Sequence, residues 1–550
     1  MNVAELVART LAQLGVGTTF GVVGSGNFVI TNALREHGVP FVAARHEGGA
    51  ATMADAYSRM SGKVALLSTH QGCGLTNAIT GIGEAAKSRT PLIVLAADSA
   101  SSAVRSNFKI DQDALVESVG AVAERVHSAE SAIADTVRAY RTAVNERRTV
   151  VLSLPLDVQA MPAPANTPDT VVAPRRPLPV RPNEDAVAEL ATMILAAQRP
   201  VFIAGRGGRE SGPQIAALAH YAGALVATSA VANGLFENDA FSLGISGGFS
   251  SPMAAETIRG ADLIVGWGCT LNMWTMRHGR LVGQDARVIQ IDIEDQALGA
   301  NRPIDLGVLG DTGETATAVL DALRTAGPAR VGYRTPELAA RIATSARWRD
   351  VEVEDLSTAT TIDPRILSRE IDTLLPGERV VSIDSGNFMG YPSAYFRVPD
   401  ENAFCFTQAF QSIGLGLSTA IGAALAQPTR LPVLGTGDGG FLMGISELET
   451  AVRLAIPLVV IVYNDHAYGA EVHHFGETPG TDLDTVVFPD TDIAAIATGY
   501  GATGVTVRTT ADLALVQAWL DGPRATPLIV DAKIANDGGA WWLAEAFTGH

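Results

Sequence analysis

Residues 435–471 constrain this 550-residue chain most: they read GTGDGGFLMGISELETAVRLAIPLVVIVYNDHAYGAE. The apolar run 432–436 has the length of a buried strand. It ends in Gly437-Asp438-Gly439-Gly440, where side chains are absent and backbone N–H groups can face an anion. A helical pattern follows through Leu448, Val452 and Leu454, then a second apolar strand at 458–463 that ends in Asn464-Asp465. In a parallel α/β unit both strand ends lie on one sheet edge, so Asp438 and Asp465, about 27 positions apart, can meet there. Two carboxylates beside a Gly-rich turn suit a hard divalent cation that neutralises a diphosphate.

The rest of the chain agrees with an α/β protein of three or four domains: 47% of residues are apolar, only 6% are aromatic, and glycine is abundant. A formal charge of −18 argues against nucleic-acid partners. Cys73, Cys269 and Cys405 form no CxxC pair, which predicts reduced thiols in a cytoplasmic protein. The N-terminus lacks a basic region followed by an apolar run, and no segment reaches membrane-spanning length, so no membrane association is expected.

Strand–helix alternation predicts a first domain over 1–160, with strands near 18–23, 41–44, 64–68, 92–97 and 150–154. A proline-rich linker occupies 161–183. A second α/β domain is expected over 184–340, with strands near 201–204, 225–228, 263–267 and 288–293 and a Gly-rich turn at 205–208. A charged, Thr-rich connection leads to a third domain over 355–535, with strands near 379–383, 403–406, 432–436, 458–463 and 527–530. The tail, 536–550, reads as mobile except for Trp541-Trp542, which demand burial. The first and third domains look alike in layout.

The 435–471 stretch resembles the signature of thiamine-diphosphate enzymes: Gly-Asp-Gly, a fixed gap, then Asn-Asn. The resemblance implies three parallel-sheet α/β domains, pyrimidine-binding, central Rossmann-like and diphosphate-binding. It implies thiamine diphosphate beside Gly437, Gly439, Gly440, Tyr468 and Gly469, and Mg²⁺ held by Asp438, Asp465 and the Ala467 carbonyl. Asp465 stands where the family usually has Asn, which makes this site one charge more acidic. Arg45-His46-Glu47-Gly48-Gly49-Ala50, after a strand, is similar to the family segment whose Glu bonds the cofactor pyrimidine and promotes deprotonation of the thiazolium carbon; Glu47 takes that role. Gln411-Ser412-Ile413-Gly414 resembles the segment in which Ile413 would be the apolar wedge under the cofactor and Gln411 would offer a carbonyl. Asn387 and Phe388, in Asp384-Ser385-Gly386-Asn387-Phe388, resemble the other phosphate-side loop.

On the substrate side the branches diverge. Ser25 and His70 fall where benzoylformate decarboxylases have a Ser and a His, and Glu471 matches the catalytic Glu of pyruvate decarboxylases. Gln112 corresponds to a glutamine lining the site of acetolactate synthases, which give the nearest overall pattern. Cys269-Thr270-Leu271-Asn272-Met273 replaces their FAD-holding segment, so FAD is an alternative rather than the expectation. The implied reaction is decarboxylation of a 2-oxo acid, carboligation to an aldehyde or ketone, or both. The implied assembly is a homodimer or homotetramer with the active site at a subunit interface. The alternatives are an FAD-binding acetolactate synthase catalytic subunit and a non-catalytic relative on the same scaffold.

Overall fold

A computed structural model describes residues 1–476 and 478–542. Among these residues the chain forms three six-stranded sheets, every strand pairing parallel. The first sheet runs, in spatial order, Phe41–Ala43, Thr19–Gly21, Ala65–Thr69, Leu92–Asp98, Thr149–Pro155 and Val122–Arg125. The third runs Phe404–Phe406, Arg379–Ile383, Leu431–Gly437, Val459–Asn464, Leu528–Lys533 and Thr503–Val507. Counted within each domain, both orders are 2-1-3-4-6-5, so the expected likeness of the two domains is a shared topology. The central sheet, from Leu306–Leu309 through Arg287–Asp292, Leu263–Trp267, Pro200–Ala204 and Leu225–Thr228 to Ser242–Ile245, has the doubly wound order of nucleotide-binding folds.

The inner strands are apolar on both faces because helices cover both; Val459–Asn464 is buried throughout. Four strands absent from the sequence reading, Val122–Arg125, Ser242–Ile245, Leu306–Leu309 and Thr503–Val507, are all sheet edges. The helical pattern after Asp438 resolves into two short helices, Asp438–Gly444 and Glu447–Arg453.

Helix Glu47–Ser61 of the first domain packs against Gly416–Ala426 of the third. The contact runs backbone to backbone: any Cβ on Gly422 would collide with the Met53 carbonyl. Ala50, Met53, Leu417, Ile421 and Leu448 share one apolar cluster, so the two domains have a common core. Residues 161–183 carry no helix or strand apart from a bridge between Asn2 and Pro162. Helix Pro336–Ser345 packs Leu338 and Ile342 into the central domain, and the expected end of that domain at 340 falls inside it. Trp542 is buried and Trp541 stacks on Trp348 at 3.9 Å; the expectation for 543–550 lies outside the described residues. Among the described residues no helix is long and apolar enough to cross a membrane.

Candidate active site

Strand Leu431–Gly437 pairs with Val459–Asn464 in a register that sets Gly437 opposite Tyr463. Asp438 and Asp465 therefore leave the sheet together, close enough for each carboxyl to act on the other's ionisation. Burial raises Asp438 to about 6; burial and then the charge of Asp438 raise Asp465 to about 8. Asp465 Oδ1 also accepts the Ala467 N–H at 3.2 Å. Asn387 is buried beside this turn with its Oδ1 unpartnered, and the Phe388 ring stacks on Tyr463 at 5.7 Å. A Cβ on Gly439 would stand 2.7 Å from the Tyr468 ring, and one on Gly469 would collide with Asp465. Two buried carboxyls that disfavour each other's charge, with an unpartnered amide oxygen beside them, are a donor set that a divalent cation would satisfy. Among the described residues no three His, Cys, Asp or Glu side chains converge as a metal set.

A carboxylate absent from the expected site list, Asp384, ties the neighbouring turn to this edge. It accepts the N–H of Ser385 at 2.8 Å and of Gly414 at 3.1 Å, and the Thr436 hydroxyl at 3.1 Å. Burial nevertheless pushes it up to about 6. The turn it holds needs two left-handed residues, Gln411 (φ 60°) and Gly414 (φ 86°). Ile413, 37% exposed, is not a core residue. The signal for Asp384 was its place after strand Arg379–Ile383, facing the Gly-rich turn.

In the first domain, Glu47 opens helix Glu47–Ser61, and His46 Nδ1 accepts the Gly48 N–H at 3.0 Å as its cap. Glu47 Oε2 accepts from Asn77 at 3.1 Å, a partner the sequence reading did not name. His70 Nδ1 lies 3.1 Å from the Gln71 carbonyl, and Nε2 lies 3.3 Å from Ser25 Oγ. A carbonyl only accepts, so Nδ1 carries a proton, and in the neutral ring Nε2 would face the Ser25 hydroxyl as an acceptor. Gly74 sits between the two candidates: a Cβ there would meet His70 Cβ at 3.1 Å and Glu47 Oε1 at 3.4 Å. Phe108 packs edge-on against His70 at 5.0 Å. Gln112 is buried and accepts the Gly72 N–H at 3.1 Å, which places it under the His70 turn. Glu471 is exposed in the third domain, on helix Gly469–Phe475.

A cavity of about 1,090 Å³ lies at the C-terminal edge of the central sheet, lined by Gly205, Arg206, Ser229, Gly268 and Asp292. The Arg206 guanidinium is lowered to about 10 by burial and by Arg147, Arg59 and Arg89 around it. Ser229 and Gln408, on the same wall, carry buried polar atoms without partners.

Three family models match in series: the N-terminal TPP binding domain of thiamine pyrophosphate enzymes over 1–118, the central domain over 187–319 and the C-terminal TPP binding domain over 384–530. The chain is 31% identical to a probable 2-ketoarginine decarboxylase of Pseudomonas aeruginosa, over 91% of this chain and 88% of that protein. It is 29% identical to a sulfoacetaldehyde acetyltransferase of Rhodobacter capsulatus, over 100% of this chain and 97% of that one. It is 25% identical to an acetolactate synthase large subunit of Haemophilus influenzae, over 93% and 90%. The three matched spans fall on the three parallel sheets in the same order, and the chain belongs to the thiamine pyrophosphate enzyme family.

Proposed function

We propose that this protein uses thiamine diphosphate and Mg²⁺ to decarboxylate a 2-oxo acid, releasing an aldehyde or joining the acyl unit to an aldehyde or ketone. The observation that carries this reading is the Asp438–Asp465 pair beside Gly439 and Gly440. Asp438, Asp465 and the Ala467 carbonyl would hold Mg²⁺. Asn387, Gly437, Gly439, Gly440, Tyr468 and Gly469 would line the diphosphate, and Phe388, Gln411 and Ile413 the remainder. Thiamine diphosphate supplies a carbon nucleophile and an electron sink for the departing CO₂.

Glu47 holds a proton toward the pyrimidine, a placed transfer worth about 10² to 10⁴ in rate. Ser25 and His70 orient the substrate carbonyl and move a proton at it, Glu471 supplies a second proton from the third domain, and Gln112 steadies the His70 turn. Exposed Phe28, Val29, Phe410 and Met443 support a homodimer or homotetramer in which Glu47 of one subunit faces Asp438 of another. The three sheets support functional domains over 1–160, 184–340 and 355–535, the second running on to the end of helix Pro336–Ser345. The three unpaired cysteines support a cytoplasmic setting.

The test is a panel of 2-oxo acids, with and without acceptor aldehydes, assayed by mass spectrometry in thiamine diphosphate and Mg²⁺. CO₂ loss with an aldehyde or hydroxyketone product supports the proposal; no turnover of any acid, despite cofactor binding seen by circular dichroism, favours a non-catalytic relative. The basic cavity on the central sheet supports a second reading, an FAD-binding acetolactate synthase. A flavin spectrum in the purified protein decides for it.

A further inference from the structure

Two fully buried glutamates cross between the first and third domains in matching ways. Glu84, on helix Cys73–Lys87 of the first domain, accepts the N–H of Ala409 at 3.1 Å and of Phe410 at 2.6 Å in the third. Those amides immediately precede Gln411 and lie four and three residues before Ile413. Glu447, on helix Glu447–Arg453 of the third domain, accepts the N–H of Arg45 at 3.0 Å and of His46 at 2.9 Å in the first. Those amides immediately precede Glu47.

The match is topological. Each glutamate sits in the helical segment after the third strand of its own sheet, Ala65–Thr69 or Leu431–Gly437. Each held segment follows the second strand of the other sheet, Phe404–Phe406 or Phe41–Ala43. The carboxylates are themselves braced. Glu84 receives Arg59 at 2.8 Å and Ser88 Oγ at 3.1 Å, and Arg59 also donates to the Phe406 carbonyl at 2.9 Å. Glu447 receives the Thr450 hydroxyl at 2.7 Å, and a Cβ on Gly49 would stand 2.6 Å from its Oε1. A carboxylate is an unusual interdomain staple, because burying it disfavours its charged form. Paired backbone donors offset that burial and fix the direction of the chain that follows.

We propose that Glu84 and Glu447 are reciprocal positioning residues, each fixing the backbone that carries the other domain's cofactor contact. The inference rests on the proposed roles of Glu47, Gln411 and Ile413. Misplacing a reacting group by about 1 Å can cost on the order of 100-fold in rate, so backbone placement at these points matters to catalysis.

The test compares Glu447→Gln and Glu84→Gln with the wild-type protein. Amide hydrogen exchange in the cofactor-free protein should rise in Glu447→Gln over 44–48 and in Glu84→Gln over 408–413, each variant leaving the other segment unchanged. With thiamine diphosphate and Mg²⁺, Glu447→Gln should slow exchange of the cofactor C2 proton about tenfold with affinity held within threefold; Glu84→Gln should weaken affinity about tenfold. Thr450→Val and Ser88→Ala, which remove one brace each, should move the same readouts less and serve if either Gln variant fails to fold. Loosening of both segments by either variant, or a lowered melting temperature with local exchange, affinity and C2 exchange all unchanged, overturns the proposal. A wild-type protein that binds no thiamine diphosphate overturns the site reading instead, and the hydrogen-exchange arm still judges the two clamps.

Discussion

Asp438 and Asp465 meet at the ends of adjacent parallel strands, each carboxyl acting on the other's ionisation, where the family signature pairs Asp with Asn. The register of Gly437 with Tyr463 brings them together, and the missing side chain at Gly469 leaves room for Asp465. Asp465→Asn keeps the shape and removes one acidic group. The expected result is retained cofactor binding with apparent Mg²⁺ affinity about tenfold weaker, equivalent to about 1.4 kcal/mol. Asp438→Ala should abolish Mg²⁺-dependent binding of thiamine diphosphate. Calorimetric titration checks both, and unchanged Mg²⁺ affinity in Asp465→Asn would remove the second carboxylate from the metal set.

Glu47 accepts from Asn77 at the start of its helix, and the Arg45 and His46 amides before it are anchored by Glu447. Glu47→Gln preserves size and should leave the far-ultraviolet circular dichroism unchanged. C2-proton exchange of bound cofactor should slow by about 10² to 10⁴. Asn77→Ala, which frees the carboxylate without deleting it, should show a smaller loss in the same assay. Wild-type exchange in Glu47→Gln would exclude Glu47 from proton transfer.

The parts of this molecule that were legible in sequence are those where burial is two-sided or glycine is forced. Leu225–Thr228, Leu263–Trp267 and Arg379–Ile383 fall where apolar runs placed them, because helices cover both faces of an inner parallel strand. The unread edge strand Thr503–Val507 carries no such run: it is half-buried at four of its five positions. Leu306–Leu309 buries only Val308. The turn at Asp438 was readable because glycine and Asp have chemical reasons to be there. Glu84 and Glu447 were not, since a Glu on a helix looks like a solvated face until the fold brings another domain's amides to it. Asp384 lay in plain view after a strand, but its burial is a tertiary fact.

Asp384 gives a pH dependence with a defined sign. Its folded value near 6 stands above the ordinary 3.8 because burial disfavours the charge. Below pH 4 the carboxyl is protonated in both folded and unfolded chains. Between pH 4 and 6 the unfolded chain ionises first, so the folded state binds more protons and stability falls as pH rises, by at most about 3 kcal/mol from this group. Above pH 6 the loss is complete and flat. The cofactor-free Asp384→Asn variant lacks this component, so its unfolding free energy should rise relative to the wild type's as pH goes from 4 to 6. Parallel urea titrations at several pH values read the difference, and identical pH profiles would show that Asp384 is not held at its raised value.

Trp542 is 1% exposed, packed edge-on against Tyr391 at 5.0 Å and Phe249 at 6.1 Å, so it bridges the third and central domains. Its ring also covers Gly390, where any Cβ would collide with it, directly after the Asn387–Met389 turn of the candidate site. Trp542→Ala leaves a ring-sized void and should destabilise by about 3–5 kcal/mol. Trp541, partly exposed on Trp348, should cost about 0.5–3 kcal/mol as Ala. Because the void borders the turn carrying Asn387 and Phe388, Trp542→Ala should also weaken thiamine diphosphate binding, while Trp541→Ala should leave it near wild type. Urea unfolding followed by circular dichroism measures the first effect and a cofactor titration the second. Equal stability losses in the two variants would mean that the buried ring contributes no more than the surface one.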